Sequence, residues 1–241
     1  MHEEIAHVFS EGGLLSQHID GYAPRTQQLE MASTIAETLS DSTVLIAEAG
    51  TGTGKTFAYL VPAILSGQKI IISTGTKNLQ DQLFSRDLPT LRKALAVPFQ
   101  AALLKGRSNY LCHYRLDLAQ HDPLQAQYSD TLYNLQVWSG QTRTGDLSEE
   151  DILEDGSSLW PKVTSTVDNC LGQACPNNTE CFINETRKTA QEADILVVNH
   201  HLLMSDMSLK SSGHGEVLPS ADGYIIDEAH QLPDIATQFL G

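Results

Sequence analysis

The chain has 241 residues, 41% of them hydrophobic and 19% charged. That is enough apolar content for one large core or two small ones, and it excludes general disorder. Asp and Glu outnumber Lys and Arg 30 to 15, and the net charge of −15 argues against a protein that coats nucleic acid with its whole surface. The apolar runs are short, as in Ile-Leu-Val-Val at 195–198, so no membrane-spanning helix is expected. The acidic start, Met-His-Glu-Glu-Ile-Ala, lacks the pattern of an export signal, and a cytoplasmic location is expected. Charge is unevenly spread. Residues 69–115 hold eight basic and two acidic residues, a local +6 that leaves −21 for the rest. This is either a basic face or scattered surface lysines and arginines. Residues 146–155 carry six acids, read as a solvated loop or helix face.

In chain order, residues 1–20 read as a loose lead-in with one short helix. Pro24 opens a helical pattern in which Leu29, Met31, Ile35 and Leu39 are apolar. Residues 43–47 (Thr-Val-Leu-Ile-Ala) read as a buried strand, followed by a Gly-rich turn. A helix is predicted over 55–65, bent by Pro62. Residues 69–73 are the next strand. A helix over 76–86 follows, with Thr76 or Asn78 near its start. Residues 101–104 are a third strand candidate. From 106 to about 190 the texture changes, with all four cysteines, the acidic run and both tryptophans. Strand patterns return at 194–199 and 223–227. Short apolar strands alternating with helices predict a parallel sheet covered on both faces, and the cysteine segment reads as an insertion into it.

Residues 49–56 (Ala-Gly-Thr-Gly-Thr-Gly-Lys-Thr) lie between a predicted strand and a helix, the setting of a phosphate-binding loop. Glycines let successive N–H groups turn inward on phosphate oxygens, and the helix adds its positive end. Ala49, Gly50, Thr51, Gly52, Thr53 and Gly54 would form the cradle. Lys55 would reach the β- and γ-phosphates, and the Thr56 hydroxyl would hold Mg²⁺. Ala49 stands where the strict pattern has glycine.

The run Gly-Tyr-Ile-Ile-Asp-Glu-Ala-His at 223–230 is an apolar strand ending in two carboxylates. Asp227 would hold Mg²⁺, and Glu228 would polarise the attacking water as a general base. His230 would sense the γ-phosphate. Alone the four residues are weak evidence; downstream of a phosphate loop they are strong.

Cys170, Cys175 and Cys181 fall within twelve residues, and 57 residues separate Cys112 from the first of them. In a reducing compartment disulfides are not expected. The spacing leaves three readings open: an iron–sulfur cluster, a zinc site, or buried unliganded thiols.

These motifs, in this order, resemble the iron–sulfur DNA helicases of the XPD/DinG type. The matching stretches are 49–56, 71–83 (Ile-Ile-Ser-Thr-Gly-Thr-Lys-Asn-Leu-Gln-Asp-Gln-Leu), 103–112 (Leu-Leu-Lys-Gly-Arg-Ser-Asn-Tyr-Leu-Cys), the three-cysteine run, 193–201 (Ala-Asp-Ile-Leu-Val-Val-Asn-His-His) and 227–230. The resemblance runs from about Gly21 to the last residue. It implies an α/β fold: a RecA-like parallel-sheet motor domain (21–105 and 191–241) with an inserted, mainly helical iron–sulfur domain (106–190). It implies ATP, Mg²⁺ and a [4Fe-4S] cluster on Cys112, Cys170, Cys175 and Cys181. Arg25 and Gln28 would read the adenine. Ser73, Thr74 and Thr76 would contact DNA phosphates, and Lys105 and Arg107 would hold single-stranded DNA. Tyr110 would stack on a base or sit in the core. Asn199, His200 and His201 match a strand end of the family and receive no role. Such a protein would move 5′ to 3′ on single-stranded DNA, open forked DNA and serve repair or replication. The family's second motor lobe should follow residue 241, so the chain reads as an N-terminal piece whose own turnover is low. Two alternatives stand beside this reading. One is a non-catalytic iron–sulfur DNA-binding fragment, and the other is a zinc-bearing ATPase unrelated to DNA.

Overall fold

The computed structural model describes residues 1–50, 53–154, 156–213 and 216–240. The elements in chain order are α1 His2–Phe9, α2 Leu14–His18, α3 Thr26–Asp41, α4 Lys55–Leu65, β1 Ile70–Thr74, α5 Lys77–Gln82, α6 Leu88–Leu95 and β2 Ala101–Leu103. They continue with α7 His113–His121, α8 Ser129–Ser139, α9 Trp160–Val163, α10 Phe182–Glu192, β3 Ile195–Asn199, α11 His200–Ser211, β4 Gly223–Ile226 and α12 Leu232–Leu240. The chain divides into two compact units, Met1–Leu104 with Ala190–Gly241, and Lys105–Thr189.

In the first unit the strands form a parallel sheet in the order β2–β3–β1–β4. β1 (Ile-Ile-Ile-Ser-Thr) and β3 (Ile-Leu-Val-Val-Asn) are near-continuous apolar runs because helices cover both faces. Alternation sorts their side chains. Ile70, Ile72, Ile195 and Val197 join the core under α1, α2, α3, α4 and α6, whereas Ile71, Leu196 and Val198 face the core under α11 and α12. Each fully buried Ile or Leu contributes about 1.5–3 kcal/mol. α4 is apolar nearly all round, with Ala58, Tyr59, Leu60, Val61, Ala63 and Ile64 buried, which is why it lies inside the fold. It runs unbroken through Pro62. Thr76 starts α5 by accepting a hydrogen bond from the Leu79 N–H.

Two expectations are corrected here. Residues 43–47 form no strand: they pair with no described strand, and Val44 and Ile46 are 90% and 94% exposed. An apolar run becomes a strand only where its backbone finds a ladder. Nor are residues 1–20 loose. α1 and α2 bury Ile5, Val8, Phe9 and Leu15 in the core, at an i, i+3, i+4 spacing that the surrounding acidic residues disguise.

The second unit is mainly helical and has its own core of Leu111, Leu116, Leu132, Leu135, Leu147, Leu159, Val163 and neighbours. Two isolated antiparallel bridges, Tyr110 to Asp146 and Leu111 to Thr164, tie its connecting segments together.

Candidate nucleotide site and cysteine cavity

Parallel strands end on one side of a sheet, so the turns after β1, β3 and β4 gather there with the start of α4. Lys55, the first residue of α4, places its Nζ 3.2 Å from Oε1 of Glu228, joining residues 173 apart in sequence. The Tyr59 hydroxyl, one turn further along α4, donates to Oδ2 of Asp227 at 3.2 Å and also interacts with Thr56. The two expected Mg²⁺ ligands, Thr56 and Asp227, therefore meet at one phenol. Burial, reinforced by the Asp227 carboxylate, raises the Tyr59 proton affinity well above its ordinary value, so its O–H remains a donor. Glu228 N–H donates to Oδ1 of Asp227 at 3.1 Å. Glu228 itself is left-handed (φ 53°, ψ 42°), a strained backbone for a non-glycine residue and a common mark of a functional turn. His230 is largely exposed, with Nδ1 3.5 Å from Oε2 of Glu228.

Gly54 caps α4 at φ 82°. The backbone there favours glycine, and a Cβ would stand 2.2 Å from Nε2 of Gln28 and push that side chain aside. Gln28 donates to the Gly54 carbonyl at 2.9 Å and accepts from the Tyr22 hydroxyl at 3.1 Å. The expected adenine-reading residue is thus tied to the phosphate loop. Arg25 lies on the surface at the start of α3. Within the loop, the Thr53 hydroxyl donates to the Gly50 carbonyl at 2.9 Å, and Ala49 is half-buried. Thr51 and Gly52 lie outside the described residues.

Of the residues expected at DNA, Ser73 and Thr74 are fully buried, and the Ser73 hydroxyl is bound to Nδ1 of His200 at 2.7 Å. Their side chains do not face solvent, whereas Thr76 does. In the second unit, Lys105 is buried in an ion pair with Asp146 at 2.7 Å and also donates to the Ser148 hydroxyl. Its expected DNA contact is corrected: an ammonium that is 1% exposed is held by its carboxylate, not offered to phosphate. Tyr110 is a core residue whose hydroxyl accepts from the Lys105 N–H. Arg107 turns towards the cysteines.

Cys112, Cys170, Cys175 and Cys181 all line one cavity of about 310 Å³. Arg107, Arg115 and Arg187 line it too. Arg107 Nη1 donates to Sγ of Cys170 at 2.9 Å. The Nε atoms of Arg107 and Arg115 are buried without a partner among the described residues. Burial raises the Cys112 proton affinity, with further increments from Cys181 and Cys175, and it lowers that of Arg187. Four sulfur donors around one space, with guanidinium donors left over, suit a bulky anionic group with several attachment points. Among the described residues, no three His, Cys, Asp or Glu side chains converge as one metal ion would need.

Tyr59, Arg115 and Arg187 were not anticipated, and Arg107 was expected at single-stranded DNA, whereas its guanidinium donates to Cys170. Tyr59 had a signal, the i+4 position from Lys55 on a helix. Arg115 and Arg187 had one as well, three residues after Cys112 and six after Cys181.

Residues 28–112 match the DEAD/DEAH box helicase family. The chain is 52% identical over 240 residues to the ATP-dependent DNA helicase YoaA of Haemophilus influenzae, covering 99% of this chain and 38% of that protein. It is 52% identical to the protein of the same name in Escherichia coli, over 97% of this chain and 37% of that one. With the ATP-dependent helicase DinG of Mycobacterium tuberculosis it shares 37% identity, over 90% of this chain and 36% of the relative. The chain therefore spans a little over a third of the length of these relatives.

Proposed function

Since the chain belongs to the DinG/YoaA type of DEAD/DEAH-box helicase, we propose that it forms the ATP-binding motor lobe of a DNA helicase, with an iron–sulfur domain inserted in it. The observation that carries this reading is the convergence of Lys55 and Glu228 at 3.2 Å across 173 residues. Backbone N–H groups at the start of α4 and Lys55 would bind the triphosphate, with Gln28 and Arg25 beside the base. Thr56 and Asp227 would hold Mg²⁺, which would neutralise charge on the phosphates. Glu228 is the general base that orients water once ATP draws Lys55 away from it. Tyr59 fixes the Asp227 carboxylate. His230, beside Glu228, would read the γ-phosphate.

The four cysteines would hold a [4Fe-4S] cluster, whose contribution is to brace the inserted unit. Arg107, Arg115 and Arg187 would offset its negative charge. The exposed turn around Thr76 would meet single-stranded DNA through sequence-independent phosphate contacts. Translocation 5′ to 3′, opening of forked DNA and a role in repair or replication are proposed for the whole protein.

The test is ATP hydrolysis by the intact protein with and without single-stranded DNA. Stimulation that Lys55→Ala and Glu228→Gln both abolish is expected; hydrolysis indifferent to DNA would overturn the helicase reading. Iron and sulfide analysis under anaerobic purification tests the second unit. About four of each per chain are expected, and they should be lost with Cys170→Ser or Cys175→Ser. One zinc and no sulfide would overturn the cluster.

A further inference from the structure

The nucleotide chemistry above makes no use of residues 199–201. Asn199 caps α11, its side-chain carbonyl accepting from the Leu202 N–H at 2.8 Å. His201 is exposed and packs edge-on to Phe239. His200 is different. It is fully buried at the start of α11, and its ring lies between the end of β1 and the turn after β4.

On one side, Nδ1 is 2.7 Å from the Ser73 hydroxyl. On the other, the carbonyls of Asp227 and Glu228 face the ring closely enough to raise its proton affinity. Neither completes a hydrogen bond with Nε2, which is buried and unpartnered among the described residues. The neighbours then set the tautomer. Carbonyls can only accept, so Nε2 carries the proton; Nδ1 accepts, and the Ser73 hydroxyl donates to it. Ser73 is joined to the same turn by its backbone, its carbonyl accepting from the Asp227 N–H at 2.9 Å. One residue beyond it, Thr74 leads into Gly75 and the exposed Thr76.

We propose that His200 is a positioning residue that couples the nucleotide turn to the loop at the end of β1. The coupling rests on the reading of Asp227 and Glu228 as ATP-handling residues. An unsatisfied buried donor is costly, so a shift of the turn at 227–228 that brings a carbonyl onto Nε2 is favoured. That shift draws the ring, and the Ser73 hydroxyl follows its acceptor. The loop at 74–76 is thereby re-aimed when nucleotide is bound. The coupling is reciprocal, so DNA on the loop also changes nucleotide affinity.

The test uses the whole chain, a fluorescein-labelled oligothymidine and a non-hydrolysable ATP analogue with Mg²⁺. Oligonucleotide affinity is measured with and without the analogue, alongside the analogue's own Kd and the melting midpoint. The parent chain should show a ratio of about fivefold or more between the two oligonucleotide affinities. In His200→Asn and His200→Gln, each of which keeps only one end of the link, the ratio should fall to about one. The analogue's Kd should stay within about twofold, which a general loss of structure would not allow. Ser73→Ala deletes a single hydroxyl and tests the same link if the imidazole is needed for folding; the double variant should lose no more coupling than either single one. Folded variants that keep the parent ratio, or a parent chain that binds both ligands without coupling, overturn the relay alone. A parent chain that binds neither ligand overturns the ATPase reading and the relay with it.

Discussion

The nucleotide site and the cysteine cavity differ in how far the protein satisfies each from its own atoms. In the first, Lys55 is paired with Glu228, Asp227 accepts from Tyr59 and from the Glu228 N–H, and Gln28 closes on Gly54. Polar groups that ATP and Mg²⁺ would engage already have partners. In the second, four thiols line one cavity, and the buried Nε atoms of Arg107 and Arg115 have no partner among the described residues. A site closed by its own contacts can fold first and bind afterwards. A site with surplus donors around a cavity depends on its occupant to fold. Loss of the occupant should therefore act on the two units unequally.

The largest effect expected is at the cysteines. Structural metal binding is worth on the order of 10 kcal/mol of folding. With the proposed cluster bound, Cys175→Ser, or chelation of its iron, should expose the amides of Lys105–Thr189 to rapid hydrogen exchange while β1 and β3 stay protected. Equal protection of both units before and after metal removal would erase the distinction.

Next comes the buried pair in the same unit. Asp146→Ala leaves the Lys105 ammonium buried and uncompensated, and should cost about 3–5 kcal/mol in denaturant unfolding. Lys105→Met removes the other half of the pair, leaves the buried Asp146 carboxylate with only Ser148 donating to it among the described residues, and should cost a comparable amount, with the single-stranded DNA affinity of the folded protein unchanged. A loss of DNA affinity in Lys105→Met would restore the DNA role that burial argues against.

In the nucleotide site the order reverses, with function affected more than folding. Lys55→Ala should weaken nucleotide binding by about 10- to 100-fold in an equilibrium titration, since a charge-assisted bond is lost. The melting midpoint should barely move, because a partly exposed ion pair contributes little. A large fall in the midpoint would show that the Lys55–Glu228 contact is structural.

The smallest effect is at Tyr59. Tyr59→Phe removes one hydrogen bond to Asp227 and should cost about 1 kcal/mol of stability. A change in Mg²⁺ dependence of nucleotide binding without a stability change would place Tyr59 in metal handling instead.

Much of the first unit was legible because its signals are local. β2, β3 and β4 each lie within a stretch read as a strand, β1 overlaps one and runs a residue past it to Thr74, and Thr76 does cap its helix. Residues 49–56 and the carboxylates at 227–228 were read as parts of one site from their order, and the fold brings Lys55 to Glu228. Residues 43–47 misled because an apolar run announces what a strand could be, while pairing decides whether it is one. Lys105 misled for the complementary reason. Its partner, Asp146, comes from a run that reads as a solvated acidic face, and no local pattern shows that one of those acids is buried. The hydroxyl of Ser73 looked available for phosphate until the fold brought in His200 from 127 residues away. In each case the sequence displays the donor and hides the partner.

The central claim is that residues 49–56 and 227–228 form one nucleotide site in this chain. Its most direct test is an equilibrium titration of a fluorescent ATP analogue with Mg²⁺, run on the parent chain and on Lys55→Ala. Saturable binding displaced by unlabelled ATP, and weakened about tenfold or more by the substitution, is the result expected. Binding that is absent, or that Lys55→Ala leaves unchanged, would contradict it.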